Sequence, residues 1–71
     1  MRIAAGVDVG STQTKAVIMT DNGDRIILAR ALVDTGANVR KAAENAFLLA
    51  CRKAEIPQTD VGFVVGTGYG R

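Results

Sequence analysis

The amino-acid sequence predicts an α/β fold in which a mixed sheet is built in the order strand, strand, strand, helix, strand. Three observations predict it. Short apolar runs separated by turn-forming residues fill the first half of the chain, as strands do. Asp21-Asn22-Gly23-Asp24 joins two of those runs, and Asn and Gly tolerate the positive φ that tight hairpin turns require. A helical stripe then precedes one more strand, and a crossover of that kind joins parallel neighbours.

Taken in order, Ile3 to Val9 is a short apolar strand, interrupted by Gly10-Ser11-Thr12. Thr14 to Thr20 is a second strand whose apolar residues fall on both faces, as in the middle of a covered sheet. Arg25 to Leu32 follows the hairpin turn as a third, antiparallel strand. After Thr35 the period changes. Val39, Ala42, Ala43, Ala46, Phe47, Ala50 and Ala54 recur at spacings of three and four and form one helical stripe. Either Thr35 or Asn38 serves as its N-cap, and Pro57 closes the segment. The many alanines allow the helix to lie close to the sheet. Val61 to Val65 is the fourth strand, parallel to the first, and Gly66-Thr67-Gly68-Tyr69-Gly70 is a loop leaving its end.

That order leaves one sheet face with a single helix and the other with none. The expectation is an incomplete domain, with a self-sufficient miniature α+β protein as the alternative. A chain of 71 residues buries only about 60% of the surface its unfolded form exposes. Domains of that size usually lean on a disulfide, a metal or a partner. Cys51 is the only cysteine and there is no histidine, so neither an internal disulfide nor a self-contained zinc site can form. The lack of a disulfide framework fits a reducing, cytoplasmic setting. The net charge of +2 is mild and scattered, and Arg40, Lys41, Arg52 and Lys53 form a solvated helix face. With only Phe47, Phe63 and Tyr69 as aromatics, nucleic-acid stacking is not expected. No apolar run approaches the ~20 residues that span a bilayer.

The chemistry concentrates between Asp8 and Lys15. An acid ends an apolar strand, and small residues turn the chain back into the next one. Gly10 lets the backbone approach a ligand closely. Successive N–H groups in such a turn form a concave anion site, and the Ser11 and Thr12 hydroxyls add donors. Asp8 would repel a bare phosphate, so its position makes sense with Mg²⁺ between them, usually through water. An acid at the mouth of a phosphate-holding hairpin suits positioning and charge neutralisation in phosphoryl transfer. The plainer alternative is an ordinary hairpin in which Asp8 accepts hydrogen bonds from the turn. Lys15 either reaches a phosphate or is a solvated strand residue, with the second favoured. Gln13 either orients water or serves the turn.

The run Gly6-Val7-Asp8-Val9-Gly10-Ser11-Thr12-Gln13-Thr14-Lys15 resembles the first phosphate motif of the sugar-kinase/actin/chaperone ATPases. That resemblance implies a duplicated ribonuclease H-like fold with nucleotide in the cleft between halves, and residues 1–71 as the N-terminal part of one such ATPase domain. Together with Asp34-Thr35-Gly36 and the ending Gly66-Thr67-Gly68-Tyr69-Gly70-Arg71, the run is similar to the ATPase subunits of the benzoyl-CoA reductase and 2-hydroxyacyl-CoA dehydratase activator family. The phosphate motif is shared across the superfamily, whereas the Thr-Gly-Tyr-Gly-Arg ending is more particular. The narrower resemblance implies Asp8 as the catalytic, Mg²⁺-side residue, and Gly10, Ser11, Thr12, Gln13 and Lys15 as nucleotide-binding residues. It also implies ATP and Mg²⁺ as cofactors. In the complete protein it implies a homodimer sharing a [4Fe–4S] cluster, with ligands outside these residues, and electron transfer to a CoA-ester reductase or dehydratase, benzoyl-CoA reductase first.

Cys51 does not match the family's cluster motif and is expected to be a small packing residue at the edge of the helix stripe. Tyr69 and Arg71 sit where α/β sheets place ligands, at the carboxyl end of a strand. Their family pattern implies a role toward nucleotide or partner. Two rivals are weaker. A dinucleotide fingerprint needs Gly-x-Gly-x-x-Gly, and here the third glycine, Gly70, falls one place early. No Gly-x-x-x-x-Gly-Lys occurs, which excludes a P-loop. A sugar kinase or a non-catalytic actin-like scaffold remains the alternative within the superfamily.

Overall fold

The computed structural model describes residues 2–22 and 24–67. Four strands form one sheet: β1 (Ile3–Val9), β2 (Gln13–Asn22), β3 (Asp24–Asp34) and β4 (Phe63–Thr67). One helix, α1 (Val39–Ala54), and a 3₁₀ turn (Gln58–Asp60) separate β3 from β4. The strand order is β3-β2-β1-β4, with β1 antiparallel to β2, β2 antiparallel to β3, and β4 parallel to β1. The expected parallel pairing through a helical crossover is therefore present. Residues Asn22 and Asp24 face each other at the hairpin, while Gly23 between them lies outside the described residues.

The helix packs against β1, β2 and β3, and the core forms in that layer. Ala5, Val7, Ala16, Ile18 and Ala31 of the sheet meet Ala46, Ala50 and Cys51 of α1. Most of these are alanines, so the helix approaches closely and little of the core is bulky. Ile18 is the largest apolar side chain that is fully buried. Cys51 lies inside this core at 4% exposure, a packing residue as the sequence suggested. Burial raises its thiol pKa above the ordinary value of 9.0.

Asn38, not Thr35, caps α1: its side-chain oxygen accepts from the Lys41 N–H at 3.0 Å. At the other end Glu55 adopts a left-handed conformation at φ 60°. The Glu55 N–H donates to the Arg52 carbonyl and the Ile56 N–H to the Cys51 carbonyl, which closes the helix as Schellman ends do. Pro57 then follows, as expected.

The fourth strand corrects the sequence expectation. It begins at Phe63, not Val61, and runs through Gly66 and Thr67, which were expected in a loop. The reason is the 3₁₀ turn after Pro57, in which the Asp60 N–H donates to the Pro57 carbonyl and the Val61 N–H to the Gln58 carbonyl. The chain reaches the sheet only at Gly62, whose N–H donates to the Ile3 carbonyl at 2.7 Å. From there the parallel register carries the strand two residues further, until Thr67 lies beside Asp8. The second and third strands are also longer than expected. A bulge at Leu28 lets β2 and β3 stay paired from the hairpin to Gln13↔Asp34.

Candidate functional site

The sheet positions the phosphate-loop candidate at the carboxyl end of β1. Val9 pairs with Thr14, and the loop Gly10-Ser11-Thr12 bridges them. The turn is closed by the Gly10 N–H donating to the Gln13 carbonyl at 2.9 Å. A Cβ on Gly10 would sit 2.9 Å from that same carbonyl oxygen, so only glycine fits without moving backbone. Gly10, Ser11, Thr12 and Gln13 are all exposed. A small, donor-bearing, solvent-facing turn with no side chain at its tightest point is a cradle that an anion can enter.

Asp8 and Lys15 are direct cross-strand partners one step below the loop. Both are exposed, on the face opposite the helix, because Val7 and Ala16 beside them point into the core. Thr67 of β4 is the register partner of Asp8 on the other side. Gly6, Asp8, Lys15, Val17, Arg30 and Leu32, with Lys53 of α1, contribute to an open depression of about 620 Å³. The sheet thus brings Asp8 and Lys15 together below Ser11 and Thr12. Gln13 contributes a backbone carbonyl to the turn, whatever its side chain does. Tyr69 and Arg71 lie outside the described residues.

A further pair was missed from the sequence. Thr14 and Thr35 are buried, at 0% and 5% exposure. The Thr35 hydroxyl donates to the Gly10 carbonyl at 2.8 Å, and its N–H donates to the Thr12 carbonyl at 2.9 Å. Thr14 and Thr35 hydroxyls are 2.9 Å apart. Since Thr35 spends its one proton on Gly10, Thr14 is the donor between them. The legible signal was parity: Thr14 occupies the inward position shared by Ala16 and Ile18, and a hydroxyl there needs a partner.

The residues fit a magnesium nucleotide. They supply a carboxylate for the metal side, exposed hydroxyls and turn N–H groups for phosphate oxygens, and a glycine where a side chain would obstruct. They do not fit an iron–sulfur cluster. Cys51 is enclosed in the core, and no group of three or more His, Cys, Asp or Glu suited to a metal ion occurs among the described residues.

Residues 5–71 match the BadF/BadG/BcrA/BcrD ATPase family. The chain belongs to that family. It is 39% identical over 67 residues to an activator of lactoyl-CoA dehydratase from Anaerotignum propionicum. It is 35% identical over 66 residues to the (R)-2-hydroxyglutaryl-CoA dehydratase activating ATPase of Acidaminococcus fermentans. Each match covers 93% of this chain but 24% of the relative, so the chain spans about a quarter of the length of these family members. Among solved structures, component A of the A. fermentans (R)-2-hydroxyglutaryl-CoA dehydratase superposes with a TM-score of 0.82 at 31% identity, covering all of this chain and 26% of that one. A diol dehydratase-reactivating factor in nucleotide-free form also superposes at 0.82, with 26% identity over 93% of this chain and 12% of that one. The family fold is the ribonuclease H-like fold of actin-like ATPases, and this chain has its mixed sheet and crossover helix. Among the described residues no helix is long and apolar enough to cross a membrane.

Proposed function

We propose that residues 1–71 are the N-terminal part of the ATP-hydrolysing subunit that activates a CoA-ester dehydratase, with a 2-hydroxyacyl-CoA dehydratase as the partner. The observation that carries this reading is the family match together with the strapped, glycine-dependent turn beside Asp8. Similarity to activators of lactoyl-CoA dehydratase and (R)-2-hydroxyglutaryl-CoA dehydratase favours a dehydratase over benzoyl-CoA reductase. In this reading the complete subunit is a cytoplasmic homodimer that delivers an electron to its partner from a [4Fe–4S] cluster, whose ligands lie outside these residues.

The bound nucleotide and Mg²⁺ supply a phosphoryl group and a charge that lowers the barrier to its transfer to water. The chain's own residues bind and orient. Ser11 and Thr12 would hold phosphate oxygens through turn N–H groups and hydroxyls, and Gly10, whose N–H closes the turn, would let them approach the backbone closely. Asp8 holds the metal side, most simply through water. Gln13 and Lys15 flank the loop, and Lys15 offsets the Asp8 charge when phosphates are absent.

The test is Asp8→Asn in the complete subunit. The change keeps shape and removes charge, so the fold should survive while Mg²⁺-dependent ATP turnover falls by about 10²-fold. Normal turnover at saturating Mg²⁺ would make Asp8 a turn residue only. Iron analysis after anaerobic purification checks the electron-transfer part separately. An iron-free subunit with intact ATPase activity would retain the ATPase reading and remove the cluster.

A further inference from the structure

We propose that Thr35 is the positioning residue of the phosphate loop, a role that rests on the nucleotide reading of Gly10, Ser11 and Thr12. Thr35 follows β3 and precedes the α1 cap, so its sequence neighbourhood has no obvious link to the loop twenty-odd residues earlier. In space it makes two bonds to that loop. Its N–H takes the Thr12 carbonyl at 2.9 Å and its hydroxyl takes the Gly10 carbonyl at 2.8 Å. The two bonds grip the turn on both sides of Ser11.

The choice of atoms matters. Both bonds, like the turn-closing bond from Gly10 to Gln13, consume loop carbonyls. A carbonyl facing a phosphate would repel it, whereas a turn N–H attracts it. By holding the carbonyls of Gly10 and Thr12 on the buried side, Thr35 fixes which edge of the loop can face an anion. Thr14 completes the arrangement by donating to the Thr35 hydroxyl at 2.9 Å, which leaves that hydroxyl one proton to give and one acceptor to give it to. The chain of hydroxyls polarises in one direction, toward Gly10. Both threonines are buried, and the bond between their hydroxyls is shielded from water, while the bond to Gly10 is part-buried.

The two threonines should therefore separate stability from phosphate binding. Thr14→Val removes one buried bond but leaves Thr35 donating to Gly10. Thr35→Val removes that bond as well and frees the loop carbonyl. Thr35→Ser keeps the hydroxyl. The measurements are affinities of the complete subunit for Mg-ADP and for adenosine, which shares the base and sugar but has no phosphate, with Mg-ATP turnover alongside. Thr35→Val should weaken Mg-ADP and lower kcat/KM by roughly ten- to a hundredfold, as a sub-ångström to 1 Å misplacement does, with adenosine unchanged. Thr35→Ser should restore most of the loss. Thr14→Val should lower thermal stability less than Thr35→Val, which loses two bonds and strands the buried Thr14 hydroxyl, and should keep Mg-ADP affinity within about threefold, since the grip on Gly10 persists.

Equal weakening of Mg-ADP by Thr14→Val and Thr35→Val, failure of Thr35→Ser to rescue, or parallel loss of adenosine binding would each overturn the proposal. If Thr35→Val does not accumulate folded, amide exchange in the unaltered subunit decides. The Thr35 amide should be protected with and without nucleotide, and the Ser11 and Thr12 amides should gain protection only with Mg-ADP. Fast exchange at Thr35 in both states would refute the grip. A normal Mg-ADP to adenosine ratio in Thr35→Val beside a crippled Asp8→Asn enzyme removes this inference and spares the ATPase reading. Absence of any nucleotide binding by the unaltered subunit removes both.

Discussion

Gly10→Ala offers the sharpest separation of loop geometry from stability. The added Cβ would lie 2.9 Å from the Gln13 carbonyl oxygen and 4.0 Å from its carbon. Carbon and carbonyl oxygen rest comfortably near 3.3–3.6 Å, so the turn must open by about 0.5 Å. Neither atom belongs to a flexible side chain, so backbone has to move. The Gly10 to Gln13 hydrogen bond, now 2.9 Å, would stretch to about 3.4 Å and leave the range of good N–H···O bonds. Its loss costs about 1 kcal/mol, and alanine returns ~0.4–1 kcal/mol by restricting the unfolded chain. Net stability therefore changes little. Turnover should not be spared, because an error of 1 Å at a catalytic site costs about 10²-fold and half that displacement about 10-fold. The assay is steady-state ATP hydrolysis by the complete subunit with a thermal melt on the same sample. The expected result is a melting temperature within a few degrees of the parent and turnover down by about tenfold. Turnover within twofold of the parent would show that phosphates do not depend on this turn.

Three other outcomes follow from the packing. Ile18→Ala should destabilise by about 2–5 kcal/mol in denaturant titration, because Ile18 is fully buried in a layer of alanines that cannot collapse far. Glu55→Gly should leave stability unchanged or raise it by up to ~1 kcal/mol, since a left-handed helix end favours glycine, and a melt reads the difference. Cys51 should resist alkylation until the protein unfolds. Its thiol pKa is raised in the fold, so the unfolded chain loses that proton first as pH rises. The stability it contributes is complete below about pH 9.0 and falls as pH climbs through the raised value, which a pH series of unfolding midpoints in Cys51 and Cys51→Ala proteins would reveal.

How far the sequence reached differs between elements for physical reasons. The helix was legible because Ala42, Ala46 and Ala50 keep one period over about two turns and Pro57 stops it. The hairpin was legible from Asn22-Gly23. The start of β4 was not, because nothing local in Thr59-Asp60-Val61-Gly62 distinguishes a tight 3₁₀ turn from the first residues of a strand. That boundary is set by the Ile3 carbonyl, which is far away in sequence. The extension of β4 to Thr67 is likewise a consequence of its parallel register with β1. Asp8, Gly10 and the hydroxyls of the loop stood out because their types are unusual at the end of an apolar strand. Thr35 looked like one of two possible helix caps, and the choice between them depended on which had a competing partner. Asn38 took the cap because the Thr35 hydroxyl was already committed to Gly10.

That competition suggests why a threonine suits this position. A serine could make the same two bonds, but its side chain would leave more rotamer freedom to lose on burial. The β-branched side chain has few χ1 choices. With Thr35 on the loop and Asn38 on the helix, two short polar side chains three residues apart divide the work. The loop side engages the Gly10 carbonyl, and the helix side satisfies an orphan N–H. The segment between β3 and α1 therefore connects the sheet to the helix and, through Thr35, ties down the Gly10-Ser11-Thr12 turn.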